Sequence, residues 1–344
     1  MRILFVSDVY FPRVNGISTS IRTFAHALQA FGHAVHLVAP EYTAHVADED
    51  WIRRMPARRS RLCPEDAVMR YGSVLERFAR PAGSRYDIVH VHTPFVAHRL
   101  GLKLARLFDI PCIETCHTFP EDHLHHYLPW IPRGTARGIA RLVSRHLYNR
   151  VDAVVVPSQP MRDILRHCGV TSRIEVIATG LPEQGFAEAD GMAFRRKYRI
   201  PQERPLLLYV GRAAVEKNIG FLLRMAAELR TIQPDLLLVI AGRGPEERNL
   251  HRLAAELNLK PNVLFIGDLD RDIELNACYC AADVFVFASR TETQGLVLLE
   301  AMAQGTPVVA LAERGTRSIL VDGEGALIAP EDERIFARKV HALL

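Results

Sequence analysis

Two glutamates, Glu292 and Glu300, bracket the stretch Glu292-Thr293-Gln294-Gly295-Leu296-Val297-Leu298-Leu299-Glu300. Carboxylates accept hydrogen bonds strongly from hydroxyl donors, so a pair aimed into one crevice suits a polyhydroxylated ligand. The same spacing also allows Glu292 to complement a helix dipole and Glu300 to be a solvated face residue. Two cations, Arg212 and Lys217, follow the apolar run Leu206-Leu207-Leu208-Tyr209-Val210-Gly211. Permanent cations near a helix N-terminus neutralise a diphosphate and stabilise the charge that develops when a nucleoside diphosphate leaves. Taken alone, they equally fit surface ion pairs with Glu216. The third group is His117, directly after the run Ile110 to Thr115 and close to Glu121, Asp122, His123, His125 and His126. A strand-end histidine in such company is a candidate for chemistry in a crevice, or a structural residue.

These side chains need elements to place them. Asp283 to Ala288 reads as a buried strand, and Leu296 to Ala303 as a helix stopped by Gly305 and Pro307. Pro307 to Ala310 reads as the next strand, so Glu292 falls in a turn at the carboxyl end of a parallel sheet, where such sheets bind ligands. Upstream, strands over Pro205–Val210, Leu236–Ala241 and Asn262–Gly267 finish in Gly211, in Gly242-Arg243-Gly244-Pro245 and in Gly267. Glycines there let a ligand approach backbone closely. The first half alternates in the same way, with strands over Ile3–Val6, Ala34–Pro40, Asp87–His92, Ile110–Thr115, Ala153–Ser158 and Ile174–Ile177. Gly16, just ahead of a helix carrying Ile21, Phe24, Ala25 and Leu28, either turns amides toward a phosphate or is an ordinary turn glycine. The segment with Arg53, Arg54, Arg58, Arg59 and Arg61 reads as an irregular basic loop. The pattern is α/β with doubly wound parallel sheets. It divides into residues 1–182, a linker over 183–204 marked by Gly, Pro and acids, and residues 205–344.

The chain has 344 residues, too many for one ordinary core, and a net charge of +4 that excludes nothing by itself. Except near the histidine loop, its basic residues lack interleaved base-stacking aromatics, which disfavours nucleic acid as a partner. Six cysteines without a paired CxxC set fit a reducing compartment. Cys112, Cys116 and His117 have no second cluster to complete a metal site, so no metal is expected. Asp8 interrupts the apolar start too early for a signal peptide, and no apolar run reaches the roughly 20 residues of a membrane helix. A cytoplasmic protein is expected. Arg133, Arg137, Arg141 and Arg145 recur at steps of four on a helix from about Pro132, a stripe suited to an anionic lipid surface or to plain solvent.

In order along the chain, Asn15-Gly16, Cys116-His117-Thr118, Gly211-Arg212 with Lys217-Asn218, Gly242-Arg243-Gly244-Pro245 and the E-x7-E of Glu292 and Glu300 resemble the retaining, nucleotide-sugar-dependent glycosyltransferases of family four. The resemblance covers nearly the whole chain. It implies the GT-B fold, two Rossmann-like doubly wound domains facing a central cleft, with the acceptor bound by the first and the donor by the second. It also implies a metal-independent hexosyltransferase without a cofactor, whose donor carries uridine or guanosine and glucose or mannose, as in UDP-glucose or GDP-mannose. By the same resemblance Arg212 and Lys217 hold the donor diphosphate, Glu300 the ribose and Glu292 the hexose. Thr293, Gln294 and Gly295 offer backbone contacts, and Gly242 and Gly244 belong to the donor side. Gly16 approaches the diphosphate and His117 faces the transferred sugar, with Asn15, Glu121 and Asp122 on the acceptor side. His117, Arg212, Lys217 and Glu292 form the implied catalytic set.

The stretch His117 to Tyr127, like Thr291 to Gly295, looks like the variant in members that glycosylate diacylglycerol or related lipids. That would give the arginine stripe a purpose, at the inner face of the plasma membrane. Members usually finish with a helix crossing back to the first domain, whereas Ile335 to Leu344 is the last element here, so that crossover helix is expected to be missing. Competing functions are a non-catalytic sugar-nucleotide-binding protein, a phosphorylase or epimerase on the same fold, and a transferase with a soluble or polysaccharide acceptor. A two-carboxylate glycosidase fits the glutamates but not the cationic loop.

Overall fold

The computed structural model describes residues 1–42, 48–59, 67–79, 86–118, 133–271 and 273–344, without the side chains of residues 76–79, 133, 136 and 137. Chain contacts divide them into two units, Met1–Gly180 and Leu181–Leu344.

The first unit contains β1 (Arg2–Val6), β2 (Ala34–Pro40), β3 (Ile52–Met55), β4 (Ala57–Arg59), β5 (Ala67–Met69), β6 (Ile88–Val91), β7 (Cys112–Thr115), β8 (Ala153–Val156) and β9 (Arg173–Val176). Among the described residues a parallel sheet runs β3-β2-β1-β6-β7-β8-β9, while β4 and β5 pair antiparallel. Alternation along β1 explains why it lies centrally. Ile3 and Phe5 pack with Ile21 and Ala25 of the helix Gly16–Ala30, and Leu4 and Val6 pack with Leu100 and Leu104 of the helix Val96–Phe108. Both faces are therefore covered, and the strand reads as a continuous apolar run. Its register sets Phe5 beside Leu37 on one side and His90 on the other.

Arg53 and Arg54 depart from the expected irregular loop, because they lie within β3, and so do Arg58 and Arg59, which lie within β4. Ile52 and Met55 are buried and pair along β2, and their spacing leaves no period-two signal to read. Arg54 is held there by Asp48 at 2.6 Å and by the carbonyls of Phe11 at 2.7 Å and Pro40 at 3.1 Å.

The second unit contains β10 (Leu206–Val210), β11 (Leu237–Ala241), β12 (Val263–Gly267), β13 (Val284–Phe287), β14 (Val308–Ala310) and β15 (Ala326–Ile328), in the parallel order β12-β11-β10-β13-β14-β15. Leu206 to Tyr209 and Val284 to Val286 are fully buried, as strands under helices on both faces must be. Residues 183–204 carry a 3-10 turn, Glu183–Phe186, and a helix, Gly191–Lys197. Arg195 of that helix is buried and donates to the Ala281 carbonyl at 2.9 Å and to Asp283 at 3.0 Å, which ties the segment to the second unit. The last helix, Glu333–His341, packs Phe336 edge-on against Phe221, with 5.4 Å between ring centroids.

In each sheet the order of strand addition reverses beside the first strand, between β1 and β6 and between β10 and β13. The carboxyl ends of strands flanking such a reversal diverge and leave a crevice for ligands. The loops after β1, β6, β10 and β13 are thus the candidate ligand-binding loops of each unit.

Candidate active site

In the second unit, the loops after β10 and β13 bring Lys217 and Glu292 together across the reversal. Lys217 ends a 3-10 turn, Val215–Lys217, and Asn218, left-handed at φ 54°, starts the helix Ile219–Arg230. Lys217 Nζ lies 2.5 Å from Glu292 Oε1, with the two side chains 23% and 17% exposed. Burial pushes the Glu292 carboxyl up, but the Lys217 charge, its hydrogen bond and one from Ser289 outweigh that and hold it below the usual carboxylate value. Glu292 is therefore ionised at neutral pH. Arg212 follows β10 directly and stands 3.9 Å from Glu216, too far for a hydrogen bond.

Glu300 lies on the inner side of the helix Leu296–Ala303 and is 7% exposed, which rules out a solvated face residue. The Arg271 guanidinium pairs with Oε1, and the Tyr279 hydroxyl donates to Oε2 at 2.8 Å. Both oxygens thus have donors, and the carboxylate is fixed in orientation. Gly295 caps this helix at φ +96°, a conformation other residues adopt only with strain. Its loop is braced from outside by the Gly315 amide, which donates to the Glu292 carbonyl at 3.0 Å.

Gly242 and Gly244 have a more local explanation than ligand approach. A Cβ at Gly242 would stand 2.2 Å from the Gly211 carbonyl oxygen, and one at Gly244 would stand 2.2 Å from that of Ala213. The loop after β11 closes on the loop after β10 and holds the segment that bears Arg212, helped by Ala213 N donating to Arg243 O at 2.9 Å.

In the first unit, Asp8 follows β1. It accepts from the Thr93 hydroxyl at 2.8 Å and from the Ala97 amide at 3.0 Å, at the start of the helix Val96–Phe108. Burial raises its carboxyl from 3.8 to about 6, against the lowering effect of these bonds. Between those values the folded chain holds more proton at this site than the unfolded chain, so the site's contribution to stability falls as pH rises. Asp8→Asn removes that titration. Denaturant melts at about pH 4 and about pH 7 should show the variant gaining on the parent with rising pH; an unchanged difference would contradict the assignment.

Asn15 caps the helix Gly16–Ala30, its side chain accepting from Ser18 N at 2.8 Å. A Cβ at Gly16 would meet no described atom within 4 Å, so packing among described residues does not dictate glycine there. His117 stacks on His92 with 5.5 Å between ring centroids, and its Nε2 lies 3.2 Å from His92 Nδ1. Burial lowers His117 to about 4, so it is a neutral imidazole at pH 7. Burial likewise pushes the Cys112 and Cys116 thiols up to about 12, and the Tyr148 hydroxyl donates to Cys116 Sγ at 2.9 Å. Among the described residues no group of three or more His, Cys, Asp or Glu is placed to hold a metal ion.

Glu121 and Asp122 lie outside the described residues, as do the side chains of Arg133 and Arg137. Arg141 and Arg145 are exposed on the helix Arg133–Tyr148, beside Leu142 at 69% and Val143 at 45% exposure, while Ala140, Ser144 and Tyr148 face inward. Among the described residues no helix is long and apolar enough to cross a membrane.

The family profile described as Glycosyltransferase Family 4 matches residues 14–184, and that described as Glycosyl transferases group 1 matches residues 192–344. An alpha-monoglucosyldiacylglycerol synthase from Streptococcus pneumoniae is 34% identical over 90% of this chain and 71% of its own length. This chain is a family four glycosyltransferase. A second alpha-monoglucosyldiacylglycerol synthase, from Acholeplasma laidlawii, is 26% identical over 99% of the glycosyltransferase and 88% of its own length. The solved sucrose-phosphate synthase of Thermosynechococcus elongatus shares the GT-B fold with a TM-score of 0.81, at 23% identity over 99% of this chain and 89% of its own.

Three side chains of this glycosyltransferase that the sequence passes over stand beside the expected ones: His92, Arg271 and Tyr279. His92 directly follows the apolar run of β6, so its strand-end position was a usable signal. Arg271 and Tyr279 had none, because they reach Glu300 from 29 and 21 residues away in sequence.

Proposed function

We propose that this glycosyltransferase is a retaining hexosyltransferase that moves glucose from a nucleoside diphosphate donor to a diacylglycerol-type lipid. The observation that carries the donor half is the meeting of Lys217 with Glu292 across the β10/β13 reversal, with the oriented carboxylate of Glu300 on the helix that follows the same loop. In this reading Lys217 exchanges its carboxylate partner for diphosphate oxygens as the donor binds, and Arg212 joins it. Glu292 is then left to accept from hexose hydroxyls, and Glu300 from the ribose. The amides of Thr293 to Gly295 complete the polar contacts in the second unit, with Gly242 and Gly244 shaping the donor loop, and Gly16 is the first unit's candidate for the diphosphate. In the first unit, His117 is the residue proposed to serve the transferred sugar, and Asn15, Glu121 and Asp122 are the proposed acceptor-side residues.

The bond from the anomeric carbon to the diphosphate breaks as the acceptor oxygen attacks from the same face. The acceptor proton passes to a departing phosphate oxygen, so no protein nucleophile is needed. Cations that stabilise the leaving group do the work that a metal does elsewhere. The lipid half is supported by the two monoglucosyldiacylglycerol synthases and by the exposed Arg141, Leu142 and Arg145, which suit the anionic cytoplasmic face of a membrane.

A donor panel scored for nucleoside diphosphate release, with lipid and soluble acceptors in parallel, tests this reading. Lipid-dependent release from a glucose donor is expected. Donor binding without release would favour a non-catalytic binding protein, and release only with soluble acceptors would remove the lipid assignment. For the surface, Arg141→Ala combined with Arg145→Ala should weaken binding to anionic vesicles by about 30-fold at low salt, at about 1 kcal/mol per arginine. Turnover of a soluble acceptor should stay unchanged. Equal sedimentation of parent and variant would mean that the stripe only faces solvent.

A further inference from the structure

We propose that His92 is a positioning residue that fixes His117 as its Nδ1-protonated tautomer, so that His117 offers the transferred hexose a donor. The functional half rests on the placing of His117 against that sugar; the tautomer itself rests on geometry in the first unit alone. The 3.2 Å contact between His92 Nδ1 and His117 Nε2 holds one proton, and the question is which ring owns it.

The far side of His92 decides. His92 is 1% exposed, and its Nε2 is buried without a hydrogen-bond partner among the described atoms. If His117 donated from Nε2, neutral His92 would carry its own proton on Nε2, an orphaned buried N–H. With the proton on His92 Nδ1, the orphan is only a lone pair, the more tolerable of the two. A charged His92 would also bury an orphaned Nε2–H, and burial with the neighbouring His90 and His117 holds it neutral. His92 Nδ1–H therefore donates to His117 Nε2, and the His117 proton sits on Nδ1.

The ring cannot easily turn to escape this arrangement. His90 stacks on it at 4.2 Å between centroids and is itself tied to the Thr115 hydroxyl at 2.7 Å. Phe5 presses edge-on from within the sheet at 4.6 Å, and the His92 amide donates to the Val6 carbonyl at 2.9 Å. Thus β1, β6 and β7 together aim a neutral imidazole pair at the strand ends.

Imidazole 15N spectra of the full chain labelled at histidine, with His117 assigned by its loss in His117→Ala, should show Nδ1 protonated and Nε2 bare at pH 7. Side-chain amides then separate the two ring nitrogens: His92→Asn replaces the Nδ1–H donor, and His92→Gln places its amide at Nε2. His92→Asn should keep kcat within about threefold of the parent, whereas His92→Gln should lose about 10–100-fold in kcat. An Nε2-protonated His117, or equal loss in the two variants, overturns the proposal and leaves the site reading standing. Full turnover by His117→Ala overturns that reading and the functional half together. The spectra need no variant of His92, so a misfolded substitution does not protect the claim.

Discussion

Lys217→Ala should lower kcat/KM by about 100–1,000-fold, the range seen when a preorganised donor to a developing anion is removed. Its melting temperature should move far less, by about 2–4 °C for each kcal/mol lost in a unit of roughly 150–250 residues. The two readouts separate because the lysine has two jobs. In the resting chain it neutralises Glu292 in a site where both side chains are mostly buried, and its loss strands that carboxylate beside Tyr209 and Ser289. Water still reaches the site, so the stranded charge costs about 1–3 kcal/mol and not the larger penalty of a sealed interior. On the proposed reading the same ammonium faces a departing diphosphate during transfer, where no solvent rearrangement replaces it.

The pairing also fixes a pH dependence. Lys217 holds Glu292 below its usual value, so the stability this pair contributes is present above the unfolded carboxylate value of 4.5 and is lost as pH falls through the depressed one. In Lys217→Ala that acid-side loss should shrink. Nucleoside diphosphate release and thermal melts on the same samples check both statements. Unchanged turnover would remove Lys217 from the phosphate site.

Glu300→Ala should raise the donor KM by about 100-fold and lower stability by about 1–3 kcal/mol, because it orphans two donors at once. Arg271 and the Tyr279 hydroxyl both end on this carboxylate, and Tyr279 is fully buried. Glu300→Gln keeps an acceptor oxygen but turns an amide toward one of those donors, so it should fall between the parent and Glu300→Ala. Tyr279→Phe tests the orientation alone. It leaves the charge in place, removes the 2.8 Å bond, and should raise the donor KM by about 3–10-fold with kcat little changed. Donor titrations beside urea melts measure these effects. A Glu300→Ala enzyme with the parent's donor KM would place the ribose elsewhere.

Much of this was legible in the chain because parallel sheets write themselves plainly. Runs such as Leu206 to Val210 and Asp283 to Ala288 are apolar throughout, being covered on both faces, and they mark where strands end and loops begin. Lys217 and Glu292 could be placed on the right loops for that reason. Their direct contact could not, since which strand ends lie side by side is set by strand order, and strand order is not local. The same limit hid Arg271 and Tyr279. β3 was missed for a different reason, since Ile52 and Met55 flank two arginines and show neither a helical nor a strand period. Gly242 and Gly244 carried a true signal with two sources: both a nearby ligand and a nearby backbone demand glycine, and the 2.2 Å approaches supply the second. His117 showed its position but not its protonation, because burial is a property of the folded environment.

The central claim is transfer of a hexose from a held nucleotide donor to a lipid hydroxyl with the anomeric configuration kept. The most direct measurement is the anomeric linkage in the product formed from an isotopically labelled α-linked nucleoside diphosphate glucose and diacylglycerol vesicles, read by NMR alongside diphosphate release. An α-glucosyl lipid formed in step with released diphosphate is the predicted result. A β-linked product, or free glucose released without lipid product, would contradict it.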